Sequence, residues 1–512
     1  MNVKILPAPK KVIEREGFLC IKPVFSAEGD LFEDILHAFS ETADKVFGIE
    51  FTPLDIPLTD ESLFTPLTET QFEHGAKGES KLRPLPGEDR CDKGLVIKVK
   101  PELSDEEYKI SIDKICLIEV SGRAGLAAAL SSVLQMAHRT CDKYIKLPKC
   151  EIHDEPDSSF RALSVDVARR WHPIDYLYRY VDLCFMFKVN RLIIHFTDDE
   201  SYTLPSDHFP KLVTKNRHYT KAQLSALSEY ANDRGVMIVP EIDMPGHCAQ
   251  ILSKYPDIFG SHGIIDATEE AFSALETLYA EAAELFKYSD YIHVGGDEAV
   301  LGRWDDSEKT KEYMKKNEIE DYVKLYGHYV GRVCKSVLSL GKTPIVWEGF
   351  HKVSNHLIPK EALVIAWESH YQLAPDLAEA GFELLNASWK PMYVVAPWQK
   401  WSPAEILTWN KYTLDHWWEG SAAFKNKIIV DRSAPVRGGI LCAWGDYLKG
   451  YESSRLACQL EFASVMPRLA AASEKLWSTD SPMTAEEFEN VYCLCEEKLK
   501  LCYSVNPFMG KL

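Results

Sequence analysis

Two neighbouring carboxylates, Asp297 and Glu298, stand near the end of the segment YIHVGGDEA at residues 291–299. An apolar run enters two glycines, which permit close backbone approach, and then presents two acids side by side. Paired carboxylates are the tools of glycoside hydrolysis, because its transition state resembles an oxocarbenium ion and its leaving oxygen must take a proton. Neighbouring residues at a strand end point in different directions, so the two acids can hold separate roles. The same pair would also suit the first turn of a helix, where acids meet free N–H groups and the positive end of the dipole. Taken alone, the pair leaves both readings open. Its surroundings narrow the choice. Arg169 follows the apolar run RALSVDV, Asp198 follows RLIIHF and His247 follows VMIVPEID. Trp347, Trp367, Tyr393 and Trp444 stand at or beyond the ends of PIVWEG, ALVIAW, FELLNAS and GGILCAW. Chemistry-bearing residues at successive run ends point to one shared site.

The elements that would position them are short apolar runs alternating with longer amphipathic stretches. Those stretches include PIDYLYRYVDLCFMFK, KAQLSALSEYANDRG and DYVKLYGHYVGRVCKSVLSLGK, each apolar at helical spacing. Repeated strand–helix units of this kind predict an α/β fold, a (β/α)8 TIM barrel whose catalytic groups gather at the C-terminal ends of the strands. A doubly wound sheet is the alternative, but it would carry fewer repeats and a glycine-rich phosphate loop after its first strand. The N-terminal part differs. KGLVIKVK and YKISIDKICLIEVSG alternate like strands and AGLAAALSSVLQMAHRT reads as a helix, while residues 58–90 are polar and loop-rich. A small α+β domain is expected over residues 1–156. The barrel, with a C-terminal helical segment, is expected over 157–512, the break falling at EIHDEPDSS.

Composition bounds the partners. The chain has 512 residues and a net charge of −19. Nucleic-acid binding needs a basic stripe to release counterions, and no such stripe is present. No window approaches about 18 consecutive apolar residues, so no membrane span is expected. The opening MNVKILPAPKKVIEREG lacks an apolar stretch of leader length, and thirteen cysteines are scattered without a disulfide-framework spacing. A cytoplasmic location with reduced thiols is the resulting expectation. Cys493 and Cys495 are too close together to form half of a usual zinc site. Neither a metal nor a cofactor is expected.

At HVGGDE, residues 293–298, the sequence resembles the signature of glycoside hydrolase family 20, the β-N-acetylhexosaminidases. RALSVDVARRWHP, VNRLIIHFTDDE and VPEIDMPGH resemble the family's first three barrel strands, and PRLAAASEKLWS its final barrel helix. The likeness runs through residues 160–478, and ILPAPKKV is similar to the small domain that precedes the barrel in this family. The resemblance implies a retaining, substrate-assisted mechanism, in which the sugar's 2-acetamido oxygen attacks the anomeric carbon and forms an oxazolinium intermediate. Glu298 would then be the acid and base, and Asp297 would hold the acetamide N–H. Those roles lead to the expectation of a drier Glu298 with a raised pKa beside an ionised Asp297.

The resemblance also implies a chain Asp198–His247–Glu298, with Asp199 supporting its loop. Arg169 would clamp sugar hydroxyls, leaving Arg161 and Arg170 to surface or structural salt bridges. Trp347, Trp367 and Trp444 would wall the acetamide pocket, and Tyr393 would hydrogen-bond the acetamide oxygen. Two positions depart from the family pattern: Val395 where Asp or Asn is common, and Asp446 where Glu is common. Both lie toward the outer hydroxyls, so preference between glucosamine- and galactosamine-type sugars stays open. Trp398 or Trp401 would stack on the aglycone. The expected substrate is an oligosaccharide or glycoconjugate with a terminal N-acetylhexosamine. A disaccharide-releasing or linkage-selective relative and a catalytically silent sugar-binding homologue are the alternatives. A homodimer is left open.

Overall fold

The computed structural model describes residues 3–29, 32–56, 58, 88–395, 401–446 and 455–504. Most of the loop-rich stretch expected at residues 58–90, and Trp398, lie outside them.

The first unit is a mixed sheet. Ile145–Asp154 runs antiparallel both to Lys11–Ile21 and to Tyr108–Ile112, and the latter pairs antiparallel with Cys116–Val120. Tyr108–Ile112 and Cys116–Val120 each bury alternate residues, as a sheet with one covered face demands. The helices Glu33–Phe47 and Arg123–Met136 join the same core. Ile35, Leu36, Phe39, Ala43, Val46 and Phe47 repeat every three or four residues on the first of them, which gives it one apolar stripe. That helix stops at Gly48, whose φ of 61° turns its N–H back onto the Asp44 carbonyl.

The second unit is a closed barrel of eight parallel strands. They are β1 (Phe160–Asp166), β2 (Arg191–His195), β3 (Met237–Glu241), β4 (Tyr291–His293), β5 (Thr343–Trp347), β6 (Leu363–Ala366), β7 (Glu383–Asn386) and β8 (Val436–Ala443). Each pairs with the next, and β1 pairs with β8 to close the ring. Every strand falls within a run marked in the sequence or within two residues of it. Helices cover the outside and side chains fill the inside, so these strands are buried on both faces and read as continuous apolar runs rather than alternating ones. The filling is a cluster of its own, with Phe160, Ala162, Ile193, Val239, Ile345, Ile365, Leu385 and Ile440 below and Trp347, Trp367, Tyr393 and Trp444 above.

A buried ionic network joins the two units. Asp154 accepts from Tyr108 Oη at 2.7 Å, from Trp477 Nε1 at 3.0 Å and from Lys188 Nζ at 3.4 Å. Arg161 is buried against Glu106, with both guanidinium ends engaged at 2.5 and 2.8 Å. Arg170 is equally buried, paired with Glu461, which also meets His172 Nε2 at 3.1 Å. Neither arginine is a surface residue: Arg161 lies within β1 and Arg170 just beyond it, where only a paired charge survives burial. Ala485–Ser504 packs on both units, touching Glu33–Phe47 and Arg123–Met136 as well as the barrel helix Ile174–Met186. All thirteen cysteines are unpaired. Among the described residues no helix is long and apolar enough to cross a membrane.

Candidate active site

The C-terminal ends of the strands bring the marked residues together. β1 ends in Asp166, which accepts from the backbone N–H of Arg169 at 2.8 Å and of Gly445, beyond β8, at 3.0 Å. This buried carboxylate sets the turn that carries Arg169. The Arg169 guanidinium then reaches Asp198 at 2.7 Å and Asp446 at 3.7 Å, and lies 5.3 Å from the Trp444 ring.

His247 and Glu298 carry side chains on left-handed backbones, at φ 44° and 47°. Such conformations are costly for side-chain-bearing residues and persist where neighbours impose them. The turn before Glu298 shows the constraint. Gly295 has φ 70°, and a Cβ there would sit 1.6 Å from Asp243 Oδ1, so only glycine fits. The Gly296 N–H donates to that same Asp243 oxygen at 2.9 Å.

The result is a chain of alternating acids and imidazoles. Glu241, at the end of β3, meets His195 Nδ1 at 3.0 Å, and His195 Nε2 meets Asp198 at 3.0 Å. Asp198 lies 3.4 Å from His247 Nδ1, and His247 Nε2 lies 3.4 Å from Glu298 and 3.8 Å from Asp297. The sequence pointed to Asp198, His247 and Glu298 but not to His195 and Glu241. Their signal was present: a charged residue inside an otherwise apolar, doubly buried strand needs a partner. Asp199 does support the loop, accepting the Ala249 N–H at 2.8 Å.

Burial works against every charge here, yet the charges hold where partners outweigh it. Desolvation lowers the basicity of His195 and His247, but contacts with Glu241 and Asp198, and with Asp198 and Glu298 respectively, raise both well above the usual value. Asp198 is held well below its usual value by both imidazoles and Arg169 despite its burial. Glu241 is likewise lowered to about 2, because His293 and His195 outweigh desolvation. Asp243, His247 and Asp297 offer atoms within 4.8 Å of one another.

The acid pair reverses the expectation drawn from sequence. Glu298 is the wet member, with 53% of its side chain exposed against 13% for Asp297. The hydrogen bond from His247 pulls Glu298 down, whereas desolvation pushes Asp297 up. The reason is the turn: its left-handed backbone swings Glu298 outward to His247 and tucks Asp297 under the loop. Behind Asp297, the buried Asp243 is pushed well up by desolvation and by the Asp297 charge. Among the described residues, Asp297 Oδ1, Asp243 Oδ2 and Trp444 Nε1 are buried without a hydrogen-bond partner. An unsatisfied buried polar atom calls for a partner, and Asp297 Oδ1 is one on the acid pair itself.

Aromatic walls complete the pocket. Trp347 Nε1 donates to Glu241 at 2.9 Å and Trp367 Nε1 to the Glu348 carbonyl at 2.9 Å, which fixes both rings. Tyr393 reaches the pocket on a two-residue strand paired with β8, not at the end of β7. It stacks on Trp389 at 4.6 Å and faces Trp367 at 6.3 Å. Val395 is packed into the apolar barrel layer, and Asp446 is partly exposed beside Arg169. Trp401 sits under Lys390, and its carbonyl accepts from Arg468. Trp417, beside Trp389, is exposed at this rim.

Residues 159–480 match the family model described as glycosyl hydrolase family 20, catalytic domain. Human β-hexosaminidase subunit beta is 26% identical over 398 residues, spanning 73% of this chain and 67% of that protein. Arabidopsis thaliana β-hexosaminidase 3 is 24% identical over 394 residues, 73% of this chain and 68% of that one. Among solved structures, a GH20 exo β-N-acetylglucosaminidase from Vibrio harveyi, in complex with N-acetylglucosamine, shares the fold. Its TM-score is 0.78 at 18% identity, covering 99% of this chain and 78% of that one.

Proposed function

Because the chain belongs to glycosyl hydrolase family 20, and is therefore a glycoside hydrolase of the β-hexosaminidase kind, we propose an exo-acting β-N-acetylhexosaminidase that uses the substrate's own acetamide as nucleophile. The observation that carries this reading is the pairing of a buried acid with an exposed one at the end of β4, under an aromatic box.

The mechanism follows from that asymmetry. The terminal sugar lies on Trp444 with Arg169 and Asp446 at its outer hydroxyls, and its acetamide enters between Trp347, Trp367 and Tyr393. The acetamide N–H meets the unsatisfied Asp297 Oδ1, which favours the ionised form of Asp297. The same sugar covers Glu298 and strips its water, which favours the neutral form. Binding therefore shifts one proton from the buried acid to the exposed one. Glu298 then gives that proton to the leaving oxygen while the acetamide oxygen attacks the anomeric carbon. Asp297, now charged, stabilises the oxazolinium, and Glu298 takes a proton from the water that opens it. The Glu241–His195–Asp198–His247 chain fixes the position of Glu298 and the charge beside it.

Terminal N-acetylglucosamine and N-acetylgalactosamine glycosides are the substrates, and unpaired, partly exposed thiols such as Cys141 and Cys493 fit a reducing compartment. Aryl β-N-acetylglucosaminide, β-N-acetylgalactosaminide and β-glucoside test the reading together. Hydrolysis of the first two and not the third is expected. Equal cleavage of the glucoside would overturn it.

A further inference from the structure

Glu368 follows Trp367 at the mouth of β6, and neither the acid pair nor the chain of imidazoles uses it. Its side chain is partly buried, and among the described residues its carboxyl has no hydrogen-bond or ion-pair partner. The backbone around it is fixed from two sides. Ser421 Oγ donates to the Glu368 carbonyl at 2.5 Å. The next four residues, Ser369 to Gln372, all donate their N–H groups to the one buried carboxylate of Glu348, at 2.8–3.1 Å. Glu348 directly follows Trp347 of β5, so the loop bearing Glu368 is tied to the barrel wall.

The acid's neighbours give it a side of the pocket. Desolvation, then the charges of Glu298, Glu348 and Asp297, push Glu368 up to about 8. It directly follows Trp367 of the aromatic wall, and its backbone is tied to Ser421 near the exposed Trp417, so it stands at the rim outside the acetamide box, where a leaving group departs. Arg169 and Asp446 stand on other strand ends, after β1 and β8. Tyr371 shares the loop, and its hydroxyl feels Glu368, Glu298 and Asp297 as well. Trp418 packs on His370 of the same loop at 5.2 Å, and its neighbour Trp417 is 43% exposed. A partly buried carboxyl that keeps its proton is both a donor and an acceptor, which matches a hydroxyl group. An aryl or alkyl leaving group offers it neither.

We propose that Glu368 is a specificity-determining residue that hydrogen-bonds a hydroxyl of a sugar on the leaving-group side, so that the enzyme favours carbohydrate over aryl aglycones. This rests on the hexosaminidase reading above. It deepens that reading by assigning the aglycone contact to the loop after β6.

The test uses the full chain and two substrates, a β-linked N-acetylglucosamine disaccharide and p-nitrophenyl β-N-acetylglucosaminide. Glu368→Ala should lower the disaccharide-to-aryl ratio of kcat/KM about tenfold, chiefly through the disaccharide KM, the scale of one lost hydrogen bond. Glu368→Gln, which still donates and accepts, should recover most of that ratio. In the unmutated chain the disaccharide KM should rise as pH passes 8, and the Gln variant should lose that rise. A ratio that falls less than threefold in the Ala variant, or equal losses on both substrates, would overturn the proposal. If the unmutated chain cleaves neither substrate, the hexosaminidase reading fails instead, a result separate from an unchanged ratio.

Discussion

At the scale of single residues, Asp297 and Glu298 are neighbouring acids whose pKa values the fold pushes in opposite directions. In the free protein burial raises the pKa of Asp297, while the hydrogen bond from His247 lowers that of Glu298. The alkaline limb of kcat/KM, which reports the free enzyme, is therefore set by the raised member. Asp297→Asn leaves only the lowered Glu298 to titrate, so that limb should move to lower pH as well as the rate falling. A pH–kcat/KM profile on an aryl substrate reads both effects; a limb left in place would place the proton elsewhere. Glu298→Gln should cost about 10²–10⁴ on a sugar leaving group, the worth of a positioned acid, and markedly less on an acidic phenol that leaves unaided. Parallel kinetics on the two substrates check the difference. Sequence made the identities of these acids legible but not their environments. Which acid is dry depends on the left-handed turn at Glu298 and on the Asp243 carboxyl behind Asp297, and neither is written in residue types.

At the scale of elements, strand ends carry the site, and the apolar runs showed where those ends fall. All eight strands were legible because doubly buried parallel strands leave short apolar runs bounded by polar residues. Less visible was what β2 and β3 hide: His195 and Glu241 look like strand residues, yet they begin the charge chain. Tyr393 was placed by register with a run that ends earlier, and reaches the pocket only through its pairing with β8. The β4 turn is the most constrained element. Gly295→Ala must drive a methyl group into Asp243 at a backbone angle that disfavours it. Loss of nearly all activity and a lower melting temperature are expected, measured by thermal unfolding and kcat/KM on the same preparation. An Ala variant as active and stable as the parent would contradict this account of the turn.

At the scale of the whole molecule, the two units meet through buried charges rather than a loose linker. Lys188 lies between Asp154, Tyr108 and Trp477 with no exposure of its side chain, and burial alone would strip its charge. Lys188→Met leaves Asp154 a buried carboxylate short of its cation, which costs about 3–5 kcal/mol. Chemical denaturation should show that loss across one transition shared by both units, whereas separate transitions would mean that the sheet and the barrel fold independently. The small domain itself was legible from its alternating strands. Its firm ionic attachment was not, because Lys188, Asp154 and Glu106 stand far apart in sequence. The central claim, that the substrate's acetamide is the nucleophile held by Asp297, is tested most directly by weakening that acetamide. For aryl glycosides bearing N-acetyl, N-fluoroacetyl and N-trifluoroacetyl groups, kcat should fall steeply with each added electron-withdrawing fluorine, because the attacking oxygen loses its electrons. A rate indifferent to the fluorines would contradict the account and return the nucleophile to the protein.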